Sequence, residues 1–442
     1  WTTGMNETTT RASDMAWRGI LGGARRSSRL GPRALVDIGS SKLCCYIAQP
    51  HLGNGFELVG RGYQAAEGFS AGNVIDIDGA GRAIGAVLHE AERAAGIELR
   101  EIAIAWSGGA PRSHLVSVSR LLGGHELLDD DIDIMLRNAF EEGESAERVV
   151  VDVLPVEMSL DDGRVLRDAR GLAADEVNLL ACVTTVDRAA LAGLVACLGD
   201  CHIEPSALVT SGYAAGIACL TQEEFDRGCL VLELGGGTTN IAHFHGGRLV
   251  YLDQITYGGD NVSRDIAYGL NTSSSYAERL KNLYGSVQWR SCDDNMRIEV
   301  PLIGDHVEAP TGEIPRTRLT MIVRARIEEI FSLVQGGLRQ AWGLFEERPP
   351  RSVVLTGGGA QIEGMVELAE EMFGLPARIG KPDLVRGRNA VEDQPCCSAA
   401  SGALALISGD DEGLHWTRPS ETPALAQGLA RINRWWRQNF VN

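Results

Sequence analysis

The pattern of apolar and polar positions predicts strands and helices that alternate over most of the chain. Two apolar runs around a glycine-serine turn, "ALVDIGSSKLCCYIA", predict a strand ending at Ile38 and a second strand after the turn. Apolar residues at helical spacing predict helices at about 77–95 and 129–142 and one long helix over 319–345. This alternation is typical of an α/β fold.

The order of acid, apolar residue and glycine in this turn occurs a second time, nearly two hundred residues later. The first occurrence starts at Asp37, and "CLVLELGGGTTNIAHF" repeats the order from Glu233, which predicts an internal duplication. A third segment, "SVVLTGGGAQIEGMVELAEEMFG", predicts a strand, a glycine turn and a helix over about 362–373. A single such turn is usually a plain connection, but three turns in this order indicate a binding site.

The residue types in these turns fit phosphate binding. Glycine lets the backbone approach a ligand closely, and successive N–H groups then point at a phosphate. The acids Asp37 and Glu233 suit a hydrated magnesium ion, and Lys42 suits phosphate charge. The predicted nucleotide contacts in the three turns are Gly39, Ser40, Ser41, Lys42, Gly235, Gly236, Gly237, Thr238, Thr239, Asn240, Gly357, Gly358 and Gly359.

Composition excludes some classes of protein. The chain of 442 residues has a formal net charge of −18, which argues against a nucleic-acid partner. Its ten cysteines lack zinc-ligand spacing, so we expect reduced, mostly buried thiols. No apolar run is long enough to span a membrane, and residues 1–33 predict a disordered extension rather than a signal peptide.

The three segments "VDIGSSK", "LELGGGTTN" and "LTGGGA" resemble, in this order, the two phosphate motifs and the adenosine motif of the actin-like ATPase superfamily. A small α+β unit after "WSGG" is similar to a subdomain that the FtsA family of bacterial division proteins carries. The resemblance implies a two-lobed, ribonuclease H-like α/β fold that binds ATP and Mg²⁺, with Asp37 and Glu233 as catalytic residues that hold the metal through water. It also implies nucleotide contacts from Gly258, Gly259, Glu278 and Lys281, although a surface ion pair would give the same sequence pattern for the last two.

The resemblance implies a division of the chain into subdomains. Residues 34–106 form 1A, completed by about 380–407, and residues 107–184 form the inserted unit 1C. Residues 185–260 form 2A, completed by about 346–379, and residues 261–345 form 2B. A linker over 408–422 then leads to a helix over 423–442.

Five residues depart from the pattern or invite another interpretation. Glu233 and Asn240 stand where the superfamily usually has aspartates, so we expect ATP binding with slow hydrolysis. Asp260 is a candidate kinase residue or a helix N-cap. His243 and His245 alternate on one strand without a nearby third ligand, which favours an exposed strand face over a metal site.

The last segment, "GLARINRWWRQNF", predicts an amphipathic membrane helix that starts near Pro423. Its position after a linker, its paired tryptophans and its arginines without acids favour a membrane over docking on the protein's own core. The predicted membrane contacts are Leu425, Leu429, Ile432, Trp435, Trp436 and Phe440 on the apolar face, with Arg431, Arg434 and Arg437 on the cationic face.

The resemblance implies a protein that self-associates and tethers the FtsZ ring to the inner face of the cytoplasmic membrane at the division site. Its implied partners are the FtsZ C-terminal peptide, bound on 2B, further copies of itself, other division proteins through 1C, and anionic lipid. Two alternatives are a PilM-like adaptor of pilus or secretion systems and a small-molecule kinase of the same superfamily.

Overall fold

The computed structural model describes residues 32–50, 56–99, 101–301, 311–382 and 393–408. Its strands are β1 (Arg33–Ile38), β2 (Lys42–Pro50), β3 (Phe56–Ala65), β4 (Phe69–Ser70), β5 (Asn73–Val74), β6 (Glu101–Trp106), β7 (Arg112–Leu121), β8 (Arg148–Leu160), β9 (Val165–Leu166), β10 (Glu176–Asp187), β11 (Glu204–Thr210), β12 (Cys229–Leu234), β13 (Thr239–His245), β14 (Arg248–Ile255), β15 (Arg297–Pro301), β16 (Thr311–Pro315), β17 (Ser352–Thr356) and β18 (Ala377–Ile379). Its α-helices are α1 (Ile77–Ala95), α2 (Asp129–Gly143), α3 (Arg188–Asp200), α4 (Ser211–Cys219), α5 (Gln222–Arg227), α6 (Gly259–Leu270), α7 (Ser274–Tyr284), α8 (Arg316–Gln340), α9 (Trp342–Glu347), α10 (Met365–Phe373) and α11 (Ser398–Ser408).

Two sheets in the structure have the same topology. The first has the strand order β11-β6-β1-β2-β3, and the second has the order β18-β17-β12-β13-β14. In each sheet the central strand pairs in parallel on one side, β1 with β6 and β12 with β17, and antiparallel with the next strand in the chain. The repeated sequence pattern thus corresponds to a repeated sheet, with each acid at the end of a central strand.

Helices α4 and α11 lie between the two sheets. Helix α11 contacts the first sheet, helix α4 contacts the second, and the two helices pack on each other. Small residues allow this approach: a methyl group at Gly402 of α11 would lie only 1.8 Å from the carbonyl oxygen of Ala214 in α4. On the outer faces, α1 and α3 cover the first sheet, and α8 and α10 cover the second.

A third sheet, with the order β7-β10-β8-β9, occupies the region predicted as 1C, although β10 continues past residue 184 to Asp187. Helix α2 packs on one of its faces, and the side chains of Leu154, Val156 and Cys182 join the core that includes α4. Each of the two repeated sheets, with the helices on it, is one lobe of the protein. Polar contacts to the second lobe add to the packing of the third sheet: Ser113 Oγ accepts from the Leu252 N–H at 2.6 Å, and Arg348 pairs with Glu157 at 2.7 Å. The third sheet is therefore attached to the rest of the protein on a broad face.

The predicted elements are found close to their expected bounds, with two exceptions. The predicted helix over 362–373 starts only at Met365. A 3₁₀ turn over Gly358–Gln361, which contains two of the three glycines, comes before it. The predicted long helix over 319–345 is two helices that meet at Ala341. None of the described helices is long and apolar enough to cross a membrane, and the predicted C-terminal helix lies outside the described residues.

The contact at Gly402 generates a prediction about stability. A Gly402→Ala substitution should destabilise the protein by about 1–3 kcal/mol, because α4 and α11 must separate to admit the methyl group. Gly336→Ala in α8 is the matched control, since no atom lies within 4 Å of the added methyl group; it should stabilise by about 0.5–1 kcal/mol. Urea unfolding of both variants measures the difference, and equal midpoints would contradict the packing described here.

Candidate nucleotide site

The first two glycine turns face each other in the cleft between the lobes. Each turn is closed by a backbone hydrogen bond, from Gly39 N to Lys42 O at 3.2 Å and from Gly235 N to Thr238 O at 2.8 Å. A methyl group at Gly236 would lie 2.9 Å from Ser41 Oγ. The structure therefore brings the two sequence motifs together.

Gly237 faces Ser40 in the same way. A methyl group at Gly237 would lie 2.8 Å from Ser40 Oγ and 3.0 Å from the Cα of Ala71. The Ser40 Oγ atom is buried and has no hydrogen-bond partner within the described residues. A buried hydroxyl without a partner is costly, so this position fits a ligand that supplies one.

The loop before α6 is bound to the second turn. Gly259 N donates to Gly235 O at 2.9 Å, and Asp260 N donates to Gly236 O at 2.8 Å. The N-cap interpretation of Asp260 is wrong, since Gly258 is the N-cap residue and its N–H donates to Asn261 Oδ1 at 3.0 Å. Asp260 lies in the first helical turn instead, where its carboxylate faces Gly236.

Glu278 and Lys281 pair on α7 at 2.7 Å. Lys281 Nζ also donates to Gly259 O at 3.0 Å, and Ser263 Oγ donates to Glu278. The Lys281 side chain is only 9% exposed. The pair is thus tied to the loop that contacts the second turn, which is more than the solvated surface pair that the sequence pattern also allowed.

The third glycine turn packs against the end of β12. Gly357 has a φ of +84°, and a methyl group there would lie 2.4 Å from Leu234 O, so only glycine fits. Gly357 N donates to Pro395 O at 3.1 Å, whereas Gly358 is exposed. The third turn is therefore packed against the strand that carries the second turn.

The two acids lie near the ends of β1 and β12, just before the first two turns, and both are buried. Burial raises the pKa of Asp37 to about 6, although the nearby Lys42 ammonium opposes the shift. Burial and the charge of Asp37 raise the pKa of Glu233 to about 8. Two buried carboxylates, one of which raises the pKa of the other, are a donor set that fits a cation.

Asn240 connects Glu233 to the opposite lobe. Asn240 Nδ2 donates to Glu233 Oε2 at 2.9 Å, and its Oδ1 accepts from Gln254 Nε2 at 2.6 Å. Gln254 Nε2 also donates to Ser107 O at 2.6 Å. This relay from β12 through β13 and β14 to the end of β6 joins the lobes, and no sequence pattern indicated it.

Two polar residues of β13, Thr239 and His243, are buried and form hydrogen bonds within the protein. Thr239 is buried, and its hydroxyl donates to Tyr257 O at 2.8 Å. The prediction of an exposed strand face is wrong for His243, which is buried with ring nitrogens 3.1 Å from Cys229 O and 2.7 Å from Arg348 O. Within the described part of the chain, no three His, Cys, Asp or Glu side chains are arranged to hold a metal ion.

The sequence is similar to known division proteins. The family model described as cell division protein FtsA matches residues 230–402. Cell division protein FtsA of Agrobacterium fabrum strain C58 is 31% identical over 420 residues, which cover 92% of this chain and 94% of that protein. The chain belongs to the FtsA family.

Solved structures with the same fold extend beyond this family. The structure of the PilM-PilN type IV pilus biogenesis complex matches with a TM-score of 0.59 and 19% identity, covering 85% of this chain and 98% of the matched chain. MreB5 of Spiroplasma citri bound to ADP matches with a TM-score of 0.50 and 15% identity, covering 86% of this chain and 98% of that chain. The actin-like fold is confirmed, and the likeness to PilM is one of fold, whereas the sequence relationship is to FtsA.

The hydrogen bonds of Gln254 generate a prediction about the stability of this FtsA family member. Gln254→Leu should destabilise the protein by about 1–3 kcal/mol, because Ser107 O and Asn240 Oδ1 both lose their donor in a buried site. Gln222→Leu is the matched control, since Gln222 is exposed and its side-chain amide donates to Asp226 at 3.3 Å on the protein surface. Chemical denaturation measures both variants, and a Gln254→Leu midpoint equal to that of the control would show that the relay contributes nothing.

Proposed function

We propose that this protein binds ATP with Mg²⁺ between the facing turns and tethers FtsZ to the cytoplasmic membrane at the division site. The observation that carries the nucleotide part is the buried Ser40 hydroxyl at the junction of two glycine turns, which has no hydrogen-bond partner in the described part of the chain. The match to a solved protein bound to ADP supports the same conclusion, because that protein shares the fold. Membership of the FtsA family supports the role in division.

The nucleotide would contact the backbone of all three turns. The phosphates would lie at the first two turns, where N–H groups, the Ser40 and Ser41 hydroxyls and the Lys42 ammonium are available. The adenosine would lie between the Gly357–Gly359 turn and the Glu278–Lys281 pair, with Gly258 and Gly259 at its edge. Exposed Gly358 has room on this side, since the nearest atom to an added methyl group is Cys396 Cβ at 3.9 Å.

Magnesium would be held by Asp37 and Glu233 through water. When bound, the ion supplies positive charge that stabilises both the phosphates and the two buried carboxylates. One oxygen of Glu233 already accepts the Asn240 amide, so Glu233 has less freedom to orient water than an unpaired aspartate. We therefore infer slow hydrolysis, with a turnover below about one per second.

The FtsZ peptide would bind on the surface of 261–345. This region carries several exposed apolar side chains, which water solvates poorly and a peptide can cover. Among the described residues they are Tyr268, Leu283, Trp289, Met296, Met321 and Leu333.

The C-terminal helix predicted over 423–442 would then attach the bound FtsZ to anionic lipid. Contacts of 1C with further copies and with other division proteins would assemble the ring.

A glycine variant tests the nucleotide site. Gly358→Val should weaken binding of ATP with Mg²⁺ at least about tenfold, because a branched side chain occupies the space beside the third turn without clashing in the nucleotide-free protein. Gly336→Val is the matched control, and it should bind as the unmodified protein does. Isothermal titration measures all three. Absence of magnesium-dependent binding in the unmodified protein, or equal affinity in Gly358→Val, would contradict the proposed site.

Liposome co-sedimentation tests the tether. The full chain should pellet with anionic liposomes and carry FtsZ with it, whereas truncation after Ser420 or Trp436→Glu should leave both proteins in the supernatant. FtsZ that lacks its C-terminal peptide controls for non-specific capture and should stay in solution. If the truncated chain pelleted equally well, the membrane contact would have to lie elsewhere. If only FtsZ failed to pellet, the proposal of FtsZ binding would be wrong.

A further inference from the structure

Two adjacent cysteines form part of the cleft wall. Cys396 and Cys397 belong to the 3₁₀ turn over Pro395–Cys397, directly before α11. Cys397 is fully buried, whereas Cys396 is partly exposed and faces Gly358. Their sulfur atoms lie 3.8 Å apart. The partly exposed cysteine of the pair therefore lies beside the proposed adenosine position.

A cation lies beside the two sulfur atoms. Lys42, the first residue of β2, places its Nζ atom 3.8 Å from Cys397 Sγ. The other titratable groups that face this cluster are Asp37 on β1, and Cys44 and Tyr46 on β2. An ammonium group and a second thiol around a partly exposed sulfur are the surroundings in which thiolates are stable and reactive.

The charges in the cluster favour the thiolate of Cys396. The hydrogen bond from Cys397 and the positive charge of Lys42 hold the pKa of Cys396 below the usual range of a thiol, against the opposing effect of burial. Cys201 provides a comparison within the same chain, since it is also partly exposed but burial raises its pKa. Two thiols of similar exposure should therefore differ in reactivity.

We propose that Cys396 is an oxidative modification site at the edge of the cleft, where its thiolate reacts with hydroperoxides and where bound nucleotide slows this reaction. The sulfur attacks the terminal peroxide oxygen, an S–O bond forms and the O–O bond breaks. The leaving hydroxide or alkoxide takes a proton from water, so the sulfur is oxidised to a sulfenic acid and the peroxide is reduced. Cys397 and Lys42 act as positioning residues that stabilise the thiolate.

The effect of nucleotide follows from Lys42, and this half of the proposal rests on the proposed function. The same ammonium that lies beside the sulfur atoms is the predicted phosphate contact of the first turn. A phosphate that draws Lys42 away removes a stabilising charge from Cys396, and adenosine beside Gly358 covers its sulfur. Nucleotide and peroxide should therefore compete for this part of the cleft.

Alkylation of the full chain without nucleotide tests the reactive thiol. With iodoacetamide at about pH 6, peptide mass mapping should show Cys396 modified about tenfold faster than Cys201, since the larger thiolate fraction outweighs the lower nucleophilicity of each thiolate. Lys42→Met should lower the rate at Cys396 at least about threefold and shift its pH profile upward, while Lys42→Arg should keep both close to the original. Equal rates at Cys396 and Cys201 in the unmodified chain would overturn the proposal without requiring any variant.

Treatment with hydrogen peroxide in the presence of dimedone tests the oxidation itself. The dimedone adduct should appear on the Cys396 peptide before the Cys201 peptide, and Cys396→Ser should remove it while Cys201→Ser should not. An adduct that forms first on Cys201, or on neither peptide, would overturn the assignment.

Saturating ATP with Mg²⁺ then separates the two halves of the proposal. The labelling rate at Cys396 should fall at least about fivefold, and the rate at Cys201 should not change. If titration shows that ATP binds but labelling of Cys396 is unchanged, the competition is wrong. If ATP does not bind at all, the proposed nucleotide function fails, while the labelling without nucleotide still decides whether Cys396 is a modification site.

Discussion

The close contact between α4 and α11 sets the spacing of the whole molecule. The two helices fill the space between the repeated sheets, and the absence of a side chain at Gly402 lets the backbone of one helix touch that of the other. Gly216 acts similarly on the other side of α4, where a methyl group would lie 2.2 Å from the ring of Phe244. With bulkier residues the sheets would move apart, because protein cores do not absorb added atoms without displacement.

The spacing of the sheets in turn decides where the glycine turns lie. Each turn follows the central strand of its own sheet, so the two turns can meet only when the sheets are held at this distance. The relay from Glu233 through Asn240 and Gln254 to Ser107 then fixes their lateral position with hydrogen bonds that water cannot replace. The substitution of Asn240 for the usual acid therefore has a structural consequence, since an amide can donate to Glu233 and accept from Gln254 at once, which a carboxylate cannot.

The cleft contains several buried ionisable groups, which are rare in a protein interior. Asp37, Glu233 and Lys42 lie there with the sulfur atoms of Cys44, Cys396 and Cys397. Buried charges shift their pKa values toward the neutral forms unless partners compensate, as the raised pKa values of both acids show. A cleft with carboxylates at its base and an ammonium beside a thiol pair is therefore sensitive to any ion or nucleotide that changes the balance of charge.

The sequence alone determined the alternation of strands and helices, the three glycine turns and their order, because these depend on local periodicity and on backbone conformations that favour glycine. It also determined the family, since the order of the motifs is specific. Only the tertiary structure decided that both faces of β13 are buried, so that His243 is a core residue, and that Asp260 lies against Gly236 rather than at a helix cap. The same is true of the Gln254 relay and of Lys42 beside Cys397, which join residues 147 and 355 positions apart. Such contacts depend on how the two sheets pack, and no local pattern in the chain encodes the distance between residues so far apart in sequence.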